Sequence, residues 1–444
     1  MGCFCNSVDK TKESNKNENN NSIVAFKKCD NENYIECEYY IDENKDVEII
    51  NKTNEIDNQL KNHCTLKVNN KKINFTYTLY FNKSENKIRL DFRIYLNNII
   101  SFFSNCSYLN TIDLSHFLID EIFDLSNLFL NCSNLKEINF SNLNTSKIQN
   151  MQNLFSGCES LENLDLSNLN TSNVINMNNM FLNCKNLTEL NLSNFKTQNV
   201  KEMSSMFNNC SSLTNLDISS FKTNNVVNME SMFLNCSSLT ELNVTNFNTK
   251  KVKNMKNLFS YCSSLTELNL SNFDTDKVIF MDGMFNGCSE LINLDISNLN
   301  TKNVTDMNSM FRKCSSLTKL NLNNFNTENV IDMNEMFCDC ENLINLDVNN
   351  FITNKVNNMS KMFYNCNSLI ELDLSKFITE NVTSMKEMFC DCTSLKQLNL
   401  SNFTTNNVGD DLDWMFKNID SNCKIIINDK KIGRIWMSKK SIIA

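Results

Sequence analysis

Residues 177–202 read MNNMFLNCKNLTELNLSNFKTQNVKE, and this 26-residue unit decides the fold because it occurs twelve times in succession. A phenylalanine recurs every 26 positions, and a cysteine follows it three positions later in every unit. The phenylalanines are Phe103, Phe129, Phe155, Phe181, Phe207, Phe233, Phe259, Phe285, Phe311, Phe337, Phe363 and Phe389. Repetition this strict is typical of a solenoid, in which each repeat contacts only its neighbours. The sequence therefore predicts a solenoid array over residues 99–410.

The leucines of the unit predict a short strand. Leu187, Leu190 and Leu192 form the pattern L-x-x-L-x-L, in which the last two leucines alternate with polar residues. That alternation places the leucines on one face of a strand. Stacked units would then form a parallel sheet with one buried face.

The second half of the unit predicts a short helix. Thr197 is a candidate N-cap, and Val200, Met203, Met206 and Phe207 follow at i, i+3, i+6 and i+7. The residue two positions after each phenylalanine is expected to end the helix in the left-handed conformation. It is Asn or Gly in eight units, namely at Asn105, Asn131, Gly157, Asn183, Asn209, Asn235, Gly287 and Asn365.

Both ends of the array predict small β modules. CTLKVNNKKI (64–73) has the pattern of two strands joined by an Asn-Asn turn, and CKIIINDKKI (423–432) is nearly a copy of it. The predicted domains are a disordered, acylated tether at 1–22, a β-rich N-terminal cap module at 23–98, the twelve repeats at 99–410, and a C-terminal cap with a β-hairpin at 411–444. Caps are needed because an open parallel edge pairs with other chains.

The repeat motif M-x-x-M-F-x-x-C-x-S-L-x-x-L-x-L-S-x-F-x-T-x-x-V resembles the BspA-like leucine-rich-repeat family, found in bacterial surface proteins and in expanded sets in protists. The resemblance implies a curved solenoid, roles in adhesion or protein binding, and no known catalytic site. The predicted fold class is thus an α/β repeat, a leucine-rich-repeat solenoid with a parallel β-sheet on one face and short helices on the other, capped by small β modules.

Composition excludes several classes of function. A net charge of −9 gives no basic footprint for nucleic acid. Apolar runs are too short for a membrane span, and the first residues have no apolar core of a signal peptide. The chain has only two histidines, His63 and His116, and lacks a glycine-rich phosphate loop. We therefore expect no enzymatic activity, no cofactor and no metal.

Twelve of the twenty cysteines form the regular column of the repeat. In a reducing compartment such a column is expected to consist of small buried apolar residues with weak S–H donors. The doublets Cys338-x-Cys340 and Cys390-x-Cys392 lie two coils apart, too far to share one tetrahedral zinc.

The N-terminus MGCFCNS has the features of an acylation signal. Gly2 is the predicted myristoylation site, although the usual pattern has Ser or Thr where Asn6 stands, and Cys3 and Cys5 are predicted palmitoylation sites. Two acyl chains would give stable anchoring where one gives marginal binding. The alternative is an unmodified, disordered start.

The solvent face of the sheet is the predicted binding surface. Asp or Asn stands between the last two leucine positions of every unit, and we name these twelve residues the Asx column. Its members are Asp113, Asn139, Asp165, Asn191, Asp217, Asn243, Asn269, Asp295, Asn321, Asp347, Asp373 and Asn399. Such a face would suit a basic or polar protein partner. The competing explanation is that these side chains only satisfy hydrogen bonds of their own coil.

These observations predict a non-catalytic protein-binding scaffold, tethered by its acylated N-terminus to the cytosolic face of a membrane. A first alternative is a BspA-like adhesin at the cell surface, and a second is a metal- or redox-dependent regulator. The expected partner is a protein and not a nucleic acid.

Overall fold

The structure is a computed structural model that describes residues 27–54, 56–409, 412 and 414–443, without the side chains of Glu85 and residues 440–443. The predicted tether, with Gly2, Cys3 and Cys5, lies outside the described residues. Neither helix of the described chain has the length and apolar character needed to cross a bilayer.

The N-terminal cap is built on antiparallel strands. Its elements are β1 (Tyr34–Ile41), β2 (Lys45–Glu48), α1 (Asp57–His63), β3 (Cys64–Val68), β4 (Lys71–Ile73), β5 (Thr78–Phe81) and β6 (Ser84–Phe92). β3 and β4 pair around Asn69 and Asn70, which have φ of 47° and 66°, so the predicted hairpin with its Asn-Asn turn is confirmed. β2 pairs with β5 in a separate two-stranded sheet.

Ten of the twelve coils contribute a short strand to the described array. The strands are β7 (Leu109–Asp113), β8 (Glu137–Asn139), β9 (Glu189–Asn191), β10 (Asn215–Asp217), β11 (Glu267–Asn269), β12 (Asn293–Asp295), β13 (Lys319–Leu320), β14 (Asn345–Leu346), β15 (Glu371–Asp373) and β16 (Gln397–Leu400). Equivalent residues of adjacent coils pair in parallel, as Leu190 does with Leu216. A second parallel ladder of single bridges runs from Asp124 to Ser384 on another side of the coil. The predicted solenoid with parallel sheets is confirmed.

The predicted helices on the other face are wrong, since no helix occurs between α1 and the C-terminal cap in the described residues. Alternate backbone N–H groups from Met177 to Asn183 donate to carbonyls of the next coil at 2.9–3.0 Å. The N–H groups of Met180 and Leu182 donate three residues back and close tight turns. The backbone N–H groups of this segment are thus hydrogen-bonded without a helix. Some of them bond within the coil, and the others bond to carbonyls of the next coil.

The phenylalanine column explains why helices do not fit. Consecutive rings from Phe103 to Phe416 are stacked, with centroids 5.5–6.1 Å apart. Packed helices need axes about 8–10 Å apart. A helix in every coil would therefore separate rings that are in stacking contact.

Two columns of left-handed residues shape the turns. All twelve residues two positions after the phenylalanines have φ between 56° and 76°, including Tyr261 and Lys313. The left-handed conformation is therefore confirmed, although it shapes a turn rather than ending a helix. A second column, two positions before each phenylalanine, is also left-handed, as at Asn179 with φ of 56°, and was not expected. Tyr261 is accommodated because Gly287 lies beneath its ring, where a Cβ would come within 2.7 Å of it.

Thr197 is not an N-cap. Its hydroxyl accepts the N–H of Lys222 in the next coil at 2.7 Å and donates to the carbonyl of the same residue at 3.1 Å. Ten buried threonines repeat this pair of bonds: Thr145, Thr171, Thr197, Thr223, Thr249, Thr275, Thr301, Thr327, Thr353 and Thr379. Each threonine therefore ties its coil to the following one.

The C-terminal cap is a strand and a helix, so the predicted β-hairpin is wrong. β17 (Lys424–Ile427) pairs in parallel with β16, and α2 (Lys430–Ile443) follows. Asp429 accepts the N–H of Ile432 at 2.9 Å, which caps the helix, and it also accepts the hydroxyl of Thr405. Trp436 is buried at 5.5 Å from the ring of Phe416. The helix covers the last coil, as a further coil would.

Candidate functional site

The Asx column lies on the solvent face of the sheet, as predicted. Nine of its twelve side chains are exposed, and Asp113, Asp217 and Asn399 are half-buried. The flanking leucines point the other way, since Leu190 and Leu192 are buried. The column is therefore accessible along the whole array.

Every member of the Asx column also makes the same local hydrogen bond. Its Oδ1 accepts the backbone N–H two residues later at 2.7–3.2 Å, as Asn191 does from Ser193 at 2.9 Å. This bond turns the chain where the strand ends. Asp and Asn form this turn more strongly than Ser or Thr, which gives a structural reason for the uniformity of the column. Recognition of a partner by this column stays a prediction.

Local hydrogen bonds lower the pKa of two exposed or half-buried aspartates of the column, Asp165 and Asp217. Hydrogen bonds from the backbone N–H and the hydroxyl of Ser167 lower the pKa of Asp165. The hydroxyl and the N–H of Ser219 lower the pKa of Asp217 in the same way. The bond that shapes the turn therefore also keeps a negative charge on the surface.

A second column on the same face carries further carboxylates, and its place two positions before the Asx column is already visible in the sequence. It lies two positions before the Asx column, and within the first eight coils Glu137, Glu189, Glu241 and Glu267 stand in it where the Asx residue of that coil is Asn. Asn163 and Asn215 stand in it where the Asx residue is Asp. The first eight coils thus present one carboxylate each: Asp113, Glu137, Asp165, Glu189, Asp217, Glu241, Glu267 and Asp295. We name these eight residues the carboxylate track.

The sheet face continues onto the N-terminal cap, which the sequence did not predict. The six-stranded sheet has the order β4-β3-β6-β1-β7-β8 and joins the cap to the first coils. Glu36 pairs with Asp113 on one side and with Arg89 on the other, and Arg89 pairs with Lys67. The row of the Asx column therefore continues from Asp113 to Glu36 of β1, and from there to Arg89 of β6 and Lys67 of β3.

A groove of about 490 Å³ lies at this junction. Lys67, Lys87 and Arg89 line its cap side, and Asp113 and Glu137 line its repeat side. The cap cations are engaged by cap carboxylates: Lys67 with Asp91 at 2.8 Å, Lys87 with Glu38 at 2.7 Å, and Arg89 with Asp91 at 2.8 Å and Glu36 at 3.4 Å. The first two residues of the carboxylate track, Asp113 and Glu137, line the repeat side of the groove. In the described part of the chain neither forms an ion pair with a cation.

The repeated cysteines are buried parts of the core. Eleven of them, from Cys132 to Cys392, donate a weak S–H bond at 3.0–3.2 Å to a phenylalanine carbonyl of the preceding coil. Burial raises the pKa of the Cys210 and Cys288 thiols to about 12. The predicted role of this column as small buried residues is confirmed. Among the residues that the structure describes, no group of His, Cys, Asp and Glu side chains could hold a metal ion.

Fold and face together define a repeat solenoid whose accessible sheet is polar and mostly acidic. The family described as "Mycoplasma protein of unknown function, DUF285" matches residues 97–190, 183–291, 236–343, 262–370 and 339–429. These overlapping matches cover residues 97–429, so the chain belongs to this family.

The chain is also similar to a solved structure titled "Crystal structure of TLR13-ssRNA13 complex". The identity is 15% over 75% of this chain and 65% of that chain, and the TM-score is 0.17. A superposition this poor carries no argument about function. No curated protein matches the chain.

Proposed function

We propose that this chain is a non-catalytic scaffold that binds a protein partner on the solvent face of its repeat sheet. The observation that carries the proposal is the accessible face itself, which extends from the cap strand β6 along the coils to β16 and exposes polar and charged side chains. Apolar columns fill the interior of the described repeats. Solenoids commonly use such long surfaces for binding.

Photo-crosslinking at single positions tests this proposal. A photoreactive residue at Ser193, exposed on the sheet face, is expected to give a discrete adduct with a partner in cells of the source organism. The matched position is Lys201, exposed on the side of the second ladder, where no adduct is expected. Adducts at Lys201 but not at Ser193 would contradict the proposed face.

We also propose that the N-terminus anchors the scaffold to the cytosolic side of a membrane through acyl chains on Gly2 and on Cys3 or Cys5. The support is the sequence MGCFCNS. Fractionation of the wild type against Gly2→Ala and Cys3→Ser/Cys5→Ser tests it, with the variants expected in the soluble fraction. Equal partition of all three proteins would contradict the anchor and leave the surface adhesin as the alternative.

We further assign the repeats to the BspA-like type on the strength of the 26-residue motif. An experimental structure of a BspA-like repeat array is expected to superpose on the coils of this chain with a TM-score above about 0.5. A poor superposition would restrict the assignment to the broader family.

A further inference from the structure

We propose that the sheet face over the first eight coils binds an extended polypeptide segment of about ten residues with basic side chains at about every third position. The segment lies along the solenoid axis, across the strands. This inference rests on the proposed function and deepens it by naming the chemistry of the partner.

The charges of the face support a cationic partner. Each of the first eight coils presents one carboxylate of the track, and none of the eight lies within ion-pair distance of a cation in the part of the chain that the structure describes. All eight are exposed apart from Asp113 and Asp217, which are half-buried. Eight negative charges without an ion-pair partner along one face are complementary to a basic polypeptide. The same charges repel a nucleic acid or an anionic lipid surface.

The zigzag of the track sets the spacing of the partner. Carboxylates alternate between the two columns from Asp113 to Glu241, so that like charges do not stand directly opposite on adjacent strands. Within one column, Glu137, Glu189 and Glu241 are two coils apart, which is about 9.6 Å at the usual strand spacing. Three residues of an extended segment in the polyproline II conformation make one full turn and span about 9 Å, so that every third side chain points the same way. A basic side chain at every third residue therefore meets a carboxylate of the same column.

Positively charged side chains lie beyond both ends of the carboxylate track, and the distance between them limits the length of basic segment that the track can bind. In the ninth coil, Lys319 occupies the glutamate column beside Asn321, and that coil has no carboxylate in either column. At the other end, Lys67, Lys87 and Arg89 line the far side of the junction groove. The seven coil steps from Asp113 to Asp295 span about 34 Å, the length of about ten extended residues.

The side chains around the carboxylate track predict a low affinity for each single contact. The track is flanked by serines and threonines such as Ser193 and Thr188, with no aromatic side chain in either column of the first eight coils. Exposed ion pairs contribute little individually and are screened by salt. Binding is therefore the sum of several weak contacts and depends strongly on ionic strength.

Fluorescence anisotropy with a designed peptide tests the inference on the full chain. The probe is a fluorescein-labelled (Lys-Ser-Ser)4 peptide, and its comparison is a peptide of the same composition with the four lysines adjacent. We expect saturable binding of the spaced peptide at low salt, tighter than that of the blocked peptide. Absence of saturable binding, or equal or tighter binding of the blocked peptide, overturns the inference.

A pair of matched variants separates local from overall charge. Glu189→Gln/Glu241→Gln removes two track carboxylates that make no structural hydrogen bond, and Gln397 already stands in that column. Glu328→Gln/Glu380→Gln removes two exposed carboxylates next to the buried threonines, off the sheet face. We expect about a fivefold weaker affinity for the first pair and less than a twofold change for the second. Equal losses would overturn the inference.

Failure here is distinguishable from failure of the proposed function. Crosslinking at Ser193 does not depend on the charge of the partner. An adduct at Ser193 without peptide binding would overturn the cationic partner and leave the scaffold in place.

Discussion

Asparagine or aspartate shapes the coil at up to three places, and the coil of residues 177–202 has asparagine at all three. Asn179 and Asn183 adopt left-handed turns, and Asn191 accepts the N–H that ends the strand. Neighbouring coils add side-chain ladders, such as Asn209 donating to Asn183 at 2.6 Å. With no proline and six glycines in the sequence, these short amides perform the work of turn residues. Their abundance therefore follows from the coil geometry.

The buried threonine ties predict a large effect of a small substitution. Thr197→Val removes a hydroxyl and leaves the N–H and carbonyl of Lys222 without that partner, so we expect a loss of about 1–3 kcal/mol in the free energy of unfolding. Urea denaturation measures it. Thr197→Ser keeps the hydroxyl and is expected to lose less. A valine variant as stable as the wild type would contradict the role of the tie.

Asp306 predicts a gain in stability on neutralisation. Burial raises its pKa, and the carboxylates of Asp282 and Asp332 add to the effect. Its ionisation is therefore unfavourable in the folded chain, and stability falls as pH rises from the unfolded pKa, about 3.9, through the folded value. Asn, which stands at the equivalent Asn254 and Asn358, keeps the acceptor for the N–H of Asn308.

We expect Asp306→Asn to raise the free energy of unfolding by about 0.2–1 kcal/mol at pH 7 and to have no effect near pH 3, where Asp306 is protonated. Thermal unfolding at the two pH values measures the change. Asp165→Asn is the control, since the pKa of Asp165 is lowered and no gain is expected. A gain at pH 3 as large as that at pH 7 would refute the electrostatic cause.

At the scale of elements, strands and core columns were predictable, whereas the tight-turn segment that precedes each phenylalanine was wrongly predicted as a helix. The pattern of Leu187, Leu190 and Leu192 identifies the strand, and all three are buried. Spacing of i, i+3 and i+6 fits a helix and also fits successive turns that bond three residues back, as Met180 bonds to Met177. The distance between neighbouring coils decides between them, and this distance is not a local property of the sequence.

The two ends of the array show the same limit for hairpins. The Asn69-Asn70 turn joins two strands, whereas the similar sequence at Asn428-Asp429 begins a helix. The difference arises because the Asp429 carboxylate finds Thr405 of the last coil as well as the N–H of Ile432. A contact across 24 residues overrides the local pattern.

The C-terminal cap yields a testable prediction at this scale. Asp429→Ala removes the helix cap and the bond to Thr405, and is expected to lower the stability of the cap by about 0.5–2 kcal/mol. Faster amide hydrogen exchange in α2 and the twelfth coil measures it. Gly433→Ala is the opposite control, because a Cβ there meets nothing within 4 Å and alanine favours the helix. Unchanged exchange in Asp429→Ala would count against the cap.

For the whole molecule, the sequence identified the solvent face of the repeat sheet but not its extent. The Asx column was found from its uniformity, and its hydrogen bonds explain that uniformity without reference to a partner. Continuation of the face onto the cap depends on β1, which lies between β6 and β7 in the sheet. Local alternation in β1 predicts a strand, but not which strands it pairs with. The junction groove was therefore beyond sequence reasoning.

Independence of neighbouring coils predicts tolerance of whole-repeat deletion. Removing residues 203–228 deletes one full coil and joins equivalent positions, so the variant is expected to keep the circular dichroism spectrum of the wild type. Removing residues 203–215 deletes half a coil and brings unlike columns together, so misfolding is expected. A folded half-coil variant, or an unfolded whole-coil variant, would be incompatible with nearest-neighbour stacking.

The turn segments have a direction that bears on biosynthesis. From Ser101 onward, their outward amide hydrogens all donate toward the carboxyl end, the last ones at Phe389 and Asp391 to Met415 and Lys417. During translation, each finished turn therefore offers a row of open donors to the coil that next leaves the ribosome. We therefore expect the coils to pair one after another in the order of their synthesis. The array is completed when α2, the last element, has been synthesised and packs against the last coil.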